Sequence, residues 1–189
     1  DPAAGIKFPG RFFEQLVAPK LDAIGCTNVL ILVDEAGYYE ALARAKDRLS
    51  GAGTRYICAP VVGPGPGVQH AKLVLLLGPQ RGRLLLGSGN LTLHGYGRNL
   101  ELFTCWDLAV GRNASQRLPG NAAPVLAAWS FVQSAFSGAA QWKSAVERLT
   151  EVQEKTPWLS ASDDEPDGVR LFDNIDDALV AKLGQFGPL

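Results

Sequence analysis

Two short apolar runs separated by a helix-length segment most restrict the folds open to this chain. The runs are residues 28–34, NVLILVD, and residues 55–62, RYICAPVV, and both have the length and aliphatic content of buried strands. Between them, residues 35–50 carry apolar side chains at helical spacing, and Gly51 follows as a helix stop. Strands that are joined through a helix usually pair in parallel, so the sequence predicts an α/β fold.

The rest of the chain supplies further strands and the helices that would cover them. The predicted elements are a helix over 10–24 with a kink at Pro19, strands over 70–77, 83–88 and 99–110, an irregular segment over 91–98, loops over 62–69 and 112–123, and helices over 124–137 and 139–150. The linker GPQRG between the first two of these strands has the length and composition of a hairpin turn, which predicts antiparallel pairing. We therefore expect a mixed β-sheet flanked by helices, an α-β-α sandwich.

The chain divides into one domain and a short extension. Residues 1–159 contain all of these elements and are predicted to form the domain. An acidic stretch, SASDDEPDG, begins at residue 160 and has the composition of a solvated linker. After it, residues 169–174 and 175–186 have the pattern of a strand and a helix. Residues 160–189 are therefore expected to be a linker and the start of a further strand–helix unit.

The composition excludes some function classes and leaves others open. Apolar residues make up 47% of the chain, and the net charge of −1 gives no overall basic field that would attract nucleic acid or anionic lipid. Apolar runs such as residues 73–77 are far too short to cross a bilayer. The three cysteines, Cys26, Cys58 and Cys105, lie among apolar neighbours, which predicts buried thiols in a reducing, cytoplasmic environment.

Two pairs of polar side chains stand at the ends of the predicted hairpin strands. His70 and Lys72 open the first strand, and Ser88 and Asn90 follow the second apolar run. Residues two apart in a strand project to the same face, so each pair would project together. Antiparallel pairing would then bring both pairs to one edge of the hairpin. Glu101, at the start of the next strand, would hydrogen-bond the His70 imidazole and fix which ring nitrogen is free.

This set of side chains suits phosphoryl transfer. A neutral imidazole such as that of His70 can attack phosphorus and form a phosphohistidine. Lys72, Asn90 and the Ser88 hydroxyl would hold the non-bridging phosphate oxygens and stabilise the charge that develops there. The sequence has no carboxylate cluster and no spaced His/Cys set, so we expect no metal and no other cofactor.

Four nearby residues are candidates for phosphate or substrate binding. Gly87 and Gly89 would let backbone N–H groups approach the phosphate. If the substrate is a nucleic acid, Tyr96 would stack on a base and Arg98 would reach a phosphate. Otherwise both are simply exposed loop residues. These four positions complete the predicted site around His70.

His70–Ala71–Lys72 is followed along the chain by GSGN at residues 87–90 and by NLE at residues 99–101. The set resembles the HxK…GSxN…NxE motif of the phospholipase D superfamily, the HKD family. The resemblance implies an α/β fold and phosphodiester transfer or hydrolysis through a covalent phosphohistidine, without a metal. The family motif usually also carries an aspartate where this chain has Leu77. Tyrosyl-DNA phosphodiesterases share that departure, which favours a nucleic-acid substrate over a lipid.

Active sites of that family are built from two such motifs, and the resemblance implies that one histidine attacks phosphorus while the other is general acid and base. This chain has a single HxK sequence, because His94 is followed by Gly95 and Tyr96. Two sources for the second motif remain open. Either two chains dimerise, or a longer protein supplies it. The absence of Met and the strand–helix pattern just before Leu189 favour the longer protein.

Three functions are compatible with these observations. The first is a phosphodiesterase half-domain of nuclease type, a hydrolase that acts through His70. The second is a catalytically silent module that keeps a phosphate pocket and binds nucleic acid or assembles with a partner. The third is a lipid phosphodiesterase, which requires an exposed apolar element beside the site. No such element stands out in the sequence.

Overall fold

The computed structural model describes residues 10–43, 50–62, 69–110, 122–137 and 142–160, together with residues 171, 173 and 175. Its strands are β1 (Leu30–Asp34), β2 (Ile57–Val61), β3 (Leu73–Gly78), β4 (Arg81–Gly87) and β5 (Phe103–Ala109). Its helices are α1 (Gly10–Phe12), α2 (Ala18–Ala23), α3 (Glu35–Ala43), α4 (Leu93–Gly97), α5 (Ala123–Ser137) and α6 (Lys143–Lys155), with a π-helical segment (Phe13–Val17) between α1 and α2 and a 3-10 turn (Pro157–Ser160) after α6. These elements confirm the predicted α/β class.

The predicted strand–helix–strand unit is present. β1 and β2 pair in parallel, with Asp34 opposite Val61. α3 starts directly after β1, because the Asp34 Oδ1 atom accepts hydrogen bonds from the N–H groups of Ala36 and Gly37 at 3.2 and 3.5 Å. The predicted end of this helix, near residue 50, falls outside the described residues.

The N-terminal helix changes its period in the middle. α1 runs directly into the five π-helical residues, and α2 then continues with Pro19 in its first turn. Proline lacks the N–H that an α-helix needs and its ring crowds the preceding turn, so a wider turn before it relieves both problems. The kink predicted at Pro19 therefore takes the form of a π segment. It places Phe13 and Ala18, from its two ends, in one buried cluster with Tyr56.

The second sheet is antiparallel and has three strands in the order β3-β4-β5. β3 and β4 form the predicted hairpin, in which Gly78 pairs with Arg81 across Pro79 and Gln80. β5 pairs with the other side of β4. Parallel and antiparallel pairing are therefore both present, and they are divided between a two-stranded and a three-stranded sheet.

Helices cover both faces of the parallel sheet. Alternate side chains of its strands point in opposite directions, so each strand contributes to the packing on both faces. One face packs on α5 and α6, in a cluster that contains Leu30, Leu32, Ile57, Ala59, Val61, Phe136 and Ala145. The opposite face packs on the N-terminal helix, in a cluster that contains Phe13, Ala18, Ile31, Tyr56 and Cys58. The predicted α-β-α layering is therefore found around this pair of strands.

Within the described ranges, helices and turns cover only one face of the antiparallel sheet. The covered face packs on α5 and the 3-10 turn, in a core that includes Leu84, Leu108, Val125, Trp129 and Trp158. The Trp158 indole N–H also donates to the Gly78 carbonyl oxygen at 3.0 Å, which ties the hairpin turn to this core. The other face leaves Arg83, Cys105 and Asp107 exposed, and Arg83 pairs with Asp107 on the neighbouring strand.

Two local predictions were wrong. Residues 91–98 are not irregular, because α4 lies within them and the Thr92 hydroxyl caps it by accepting the Gly95 N–H at 2.9 Å. Its glycines indicated a loop, but the cap is the stronger local determinant here. Cys105 is exposed rather than buried, because it lies on the uncovered face of β5. Cys26 and Cys58 are partly buried, and burial raises the pKa of the Cys58 thiol to about 12.

Several predicted segments lie outside the described residues. They are most of the loops over 62–69 and 112–123, the acidic linker from residue 161, and the strand–helix unit over 169–186 apart from three positions. One of those positions, Leu171, packs against the core of the antiparallel sheet. None of the helices in the described ranges is both long enough and apolar enough to cross a membrane.

Candidate functional site

The predicted site lies at one end of the antiparallel sheet. Lys72 directly precedes β3, and its carbonyl oxygen accepts the N–H of Gly87, the last residue of β4, at 3.1 Å. Gly87 pairs in turn with Phe103, the first residue of β5. Lys72, Gly87 and Phe103 therefore lie side by side. His70 comes two residues before Lys72, and Ser88 comes directly after Gly87. The structure thus brings residues from both predicted polar pairs to the same edge.

His70 and Lys72 are in direct contact. The Lys72 Nζ atom lies 2.8 Å from Nδ1 and 3.2 Å from Nε2 of the imidazole, and it donates to the His70 carbonyl oxygen at 2.9 Å. His70 is exposed, so its ring is accessible from solvent. A neutral imidazole nitrogen accepts from an ammonium group. The contact therefore places a cation beside the lone pair that a nucleophilic histidine would use.

Glu101 is held by Ser88 and Asn99. Its Oε2 atom accepts from the Ser88 hydroxyl at 2.5 Å, and its Oε1 atom accepts from the Asn99 side-chain amide at 3.2 Å. The Ser88 hydroxyl also accepts the Leu102 N–H at 3.1 Å. The hydrogen bond predicted between Glu101 and His70 is not formed in the described part of the chain, because the carboxylate is drawn to the connection between β4 and β5.

Lys72 and Glu101 affect each other's protonation. Partial burial lowers the pKa of the Lys72 ammonium, and the Glu101 carboxylate opposes this by raising it. The pKa of the Glu101 carboxyl is lowered by the hydrogen bonds from Ser88 and Asn99 and by the charge of Lys72. The edge of the sheet therefore holds one anion and one cation that support each other's charged forms.

Gly87 and Gly89 pack closely against neighbouring parts of the chain. The Gly87 N–H is used by the Lys72 carbonyl, so it does not face a phosphate. A side-chain carbon on Gly89 would come within 2.6 Å of the Gly95 carbonyl oxygen and 2.8 Å of the Phe103 ring. Position 89 requires glycine because the Gly95 carbonyl and the Phe103 ring leave no room for a side chain.

The remaining predicted residues lie on α4 or close to it in the chain. Asn90 is half-buried between β4 and α4. Tyr96 is exposed, and its ring meets that of Phe103 edge-on with 5.5 Å between the centroids. Arg98 is exposed just after α4, where its N–H donates to the His94 carbonyl oxygen at 3.1 Å. Asn90, Tyr96 and Arg98 thus lie on α4 or within a few residues of it, and His94 lies on the same short helix as Tyr96.

An exposed apolar surface beside the site was missed by sequence reasoning. Leu100 is fully exposed and Leu102 is 81% exposed, on either side of Glu101. Three other apolar side chains of this segment are also exposed, Leu93, Tyr96 and Phe103. We call these five side chains the apolar rim. The two leucines alternate with Asn99 and Glu101, but alternation alone does not show which side of a strand is covered. The apolar rim is the element that the sequence did not reveal.

Two further observations bear on the chemistry of the site. Leu77, where the related motif carries an aspartate, packs with Leu73 and Leu75 against the core of the antiparallel sheet. A carboxylate there would be removed from water, so the position serves packing in this chain. Within the described ranges, no group of three or more His, Cys, Asp or Glu side chains is placed to hold a metal ion.

A scan against protein-family models, a search of curated proteins and a search of solved structures each found no match to this chain. The likeness to the phospholipase D superfamily therefore rests on the motif residues alone. The structure adds that His70 contacts Lys72, and that Ser88 contacts Glu101, at one edge of a sheet.

Proposed function

We propose that the chain carries one half of a phosphodiesterase site, in which His70 attacks phosphorus and Lys72 binds the phosphate oxygens. The observation that carries this proposal is the contact of Lys72 Nζ with an exposed imidazole, at 2.8 Å from Nδ1. A phosphate bound to the ammonium would be held beside the ring that attacks it. The motif resemblance supports the same two roles.

The reaction has two steps. First, an imidazole nitrogen of His70 forms a bond to phosphorus while the bond to the leaving oxygen breaks, and that oxygen takes a proton from a general acid. Water then attacks the phosphohistidine and gives its proton to the same group, and the N–P bond breaks. Lys72 stabilises the charge on the non-bridging oxygens in both steps. Ser88 fixes this edge by linking the Glu101 carboxylate to the Leu102 backbone.

The general acid requires a second motif, and the apolar rim supports docking of the unit that would carry it. Large apolar side chains that face water gain free energy when another surface covers them, at about 25 cal/mol per Å². Exposed apolar patches mark interaction sites when they are large, and two members of the apolar rim, Tyr96 and Phe103, are in contact. A unit that covers the apolar rim would lie beside Glu101 and His70. That unit is either a second copy of this chain or a further part of a longer protein.

A nucleic acid is the substrate that the surroundings of the site favour. Tyr96 presents an exposed aromatic ring and Arg98 an exposed guanidinium on the same short segment. Aromatic rings stack on unpaired bases, and arginine binds phosphates, so this combination suits a single strand. The three free thiols agree with a reducing, cytoplasmic environment.

A trapping experiment tests the nucleophile. The chain is mixed with a single-stranded oligonucleotide that carries a radiolabelled phosphodiester, quenched in alkali to preserve phosphohistidine, and separated under denaturing conditions. Wild type is expected to retain label that acid releases, and His70→Ala is expected to retain none. His94→Ala is the matched control and should label like wild type. Equal labelling of His70→Ala and wild type contradicts the proposal.

The apolar rim also supports a second candidate, a phosphodiesterase that acts on phospholipid. Leu100 and Leu102 would enter the apolar part of a lipid surface, and Arg98 would remain at the headgroups. Headgroup release from phosphatidylcholine–phosphatidylglycerol vesicles, without oligonucleotide cleavage, would favour this candidate. Oligonucleotide binding that weakens with salt but leads to no turnover would instead indicate the silent module.

A further inference from the structure

We propose that Asp34 is a positioning residue for His70 and acts through the backbone of Gln69. The inference rests on the proposed function, because it concerns the histidine that attacks phosphorus. Asp34 ends β1 in the parallel sheet, whereas His70 precedes β3 in the antiparallel sheet. The Asp34 Oδ2 atom accepts the Gln69 N–H at 2.9 Å, while its Oδ1 atom caps α3. One carboxylate therefore joins β1, α3 and the segment that carries the histidine.

Gln69 passes this constraint on to His70. Its side-chain Oε1 atom accepts the Ala71 N–H at 3.3 Å, so both neighbours of His70 are hydrogen-bonded. Two residues after His70, the Lys72 carbonyl accepts the Gly87 N–H at 3.1 Å. The histidine thus lies between an anchor on the parallel sheet and an anchor on the antiparallel sheet. Its own side chain is exposed, so packing does little to hold this stretch of backbone.

Aspartate is the side chain that makes both Asp34 contacts best. A helix cap alone is served equally well by serine, threonine or asparagine. Asparagine has one acceptor oxygen and serine has a single hydroxyl on a shorter side chain, so neither can cap α3 and bind Gln69 together. The pair of contacts therefore gives a specific reason for a carboxylate at this position. It also provides a variant, Asp34→Ser, that keeps the cap and removes the bond to Gln69.

The full chain allows a test that does not depend on turnover. It has only two histidines, His70 and His94, so NMR of the imidazole Cε1–H groups reports on both. In Asp34→Ser, the His70 signal is expected to shift and to change its linewidth, while the His94 signal stays in place. Gln69→Ala keeps the backbone N–H that Asp34 accepts and removes only the hydrogen bond to Ala71, so it tests the second link separately and should also shift the His70 signal. Asp107→Asn is the matched control, and it should alter neither histidine signal.

Kinetics on a single-stranded oligonucleotide provide the second readout. Misplacement of the nucleophile by about 1 Å is expected to lower kcat roughly ten- to a hundredfold. KM should change little, because Lys72, which binds the phosphate, is not altered. Thermal stability of Asp34→Ser should remain near wild type, since serine caps helices well.

The outcomes separate the positioning role from the proposed function. An unchanged His70 signal in Asp34→Ser overturns the positioning role, whatever the activity. Lower stability with unchanged kcat and an unchanged His70 signal would show that Asp34 is only a helix cap, which also overturns it. If the His70 signal changes but His70→Ala retains as much label as wild type, the proposed function fails and the positioning role stands. If Asp34→Ser does not fold, Asp34→Asn decides, because its single acceptor oxygen can cap α3 while the bond to Gln69 is lost.

Discussion

Lys72 has neighbours with opposite effects on its protonation. Partial burial favours its neutral form, and the Glu101 carboxylate favours its charged form. Glu101 can supply that charge because Ser88 and Asn99 hold its carboxyl in the ionised state. The availability of the Lys72 ammonium, which the proposed function uses to bind phosphate, therefore depends on a residue that is not hydrogen-bonded to His70. The pair sets the pH range over which the ammonium is available.

Glu101→Gln is expected to lower the pKa of Lys72 further, because it removes the carboxylate that opposes the effect of burial. The ammonium will then lose its proton at lower pH, so the alkaline limb of the rate profile should move to lower pH. NMR titration of the Lys72 side chain, assigned with Lys72→Arg, measures the change directly. Asp107→Asn serves as the control. A Lys72 pKa that stays constant or rises in Glu101→Gln would contradict this prediction.

α4 shows how an element depends on close backbone approach. It is short, begins at the Thr92 cap and packs against the strand end that carries Asn90. A side-chain carbon on Gly95 would lie 2.2 Å from the Asn90 carbonyl oxygen and 2.8 Å from its nitrogen. Neither atom can move away without shifting the edge on which the site is built. Gly97, in the same helix, has as its nearest neighbour the Leu93 side chain at 3.9 Å.

Gly95→Ala is expected to destabilise the chain by about 1–3 kcal/mol or more, since the new methyl group would overlap backbone atoms of Asn90. Gly97→Ala is the matched control and should be neutral or stabilising by up to about 1 kcal/mol, because alanine favours a helix. The free energy of unfolding in urea measures both. Equal stability of the two variants would show that α4 can move away from Asn90 without loss of stability, which would contradict this prediction.

The parallel unit and the hairpin could be predicted because their signals are local. The GPQRG turn fixes the pairing of β3 with β4, and the apolar runs around residues 28–62 leave little choice but β1, α3 and β2. The partner of Glu101 could not be predicted in this way. Its choice of Ser88 over His70 depends on the path of the chain before Phe103, the first paired residue of β5. The exposure of Leu100 could not be predicted for a similar reason. An alternating pattern shows which residues share a face of a strand, but not whether another element covers that face.

The π segment is tied to the residues before β2 by one carboxylate. Glu14 accepts hydrogen bonds from the N–H groups of Ser50 and Gly51 and from the Tyr56 hydroxyl, at 3.3, 2.8 and 3.0 Å. Burial raises the pKa of the Glu14 carboxyl, but the hydrogen bonds from Gly51, Tyr56 and Ser50 together outweigh it and hold the pKa below its usual value. Folding is therefore linked to the ionisation of this side chain.

A lowered pKa in the folded state means that the contribution of Glu14 is present above the unfolded pKa of about 4.3 and is lost as pH falls through the lower folded value. Glu14→Gln should therefore be less stable than wild type near neutral pH, and the difference should shrink on acidification. Urea unfolding at a series of pH values measures it, with Glu147→Gln on the exposed side of α6 as control. A difference that does not vary with pH would refute the linkage.

At the scale of the whole molecule, the apolar rim and the half-site lie on the same edge. The net charge of −1 offers little repulsion between copies. The side chains that protrude most, Leu100 and Leu102, are also those nearest to Glu101 in the chain. Association at this edge would therefore bring new groups to the residues that are proposed to bind phosphate rather than to a remote surface.

We expect the chain to associate with rising concentration and the double variant Leu100→Ser/Leu102→Ser to remain monomeric, because the variant removes the apolar surface that drives contact. Light scattering over a concentration series measures this. Ile24→Ser, which removes an exposed apolar side chain after α2, is the control and should behave like wild type. A wild type that stays monomeric but binds lipid vesicles would assign the apolar rim to a lipid surface instead.

The π segment also has a consequence for how the length of this chain can vary. A π turn holds more residues than an α turn, so the N-terminal helix consists of two α registers joined by surplus chain. Deleting one residue between Glu14 and Val17 would remove the surplus and leave a continuous α-helix, with the residues on either side close to their present positions. Phe13 and Glu14 would therefore keep their contacts with Tyr56 and Gly51, while α2 kept its place. If the segment instead became α-helical without a deletion, everything before it would rotate by about 100° and these contacts with residues 50–56 would be lost. The chain should therefore tolerate the loss of one residue here better than a change that keeps its length and straightens the helix.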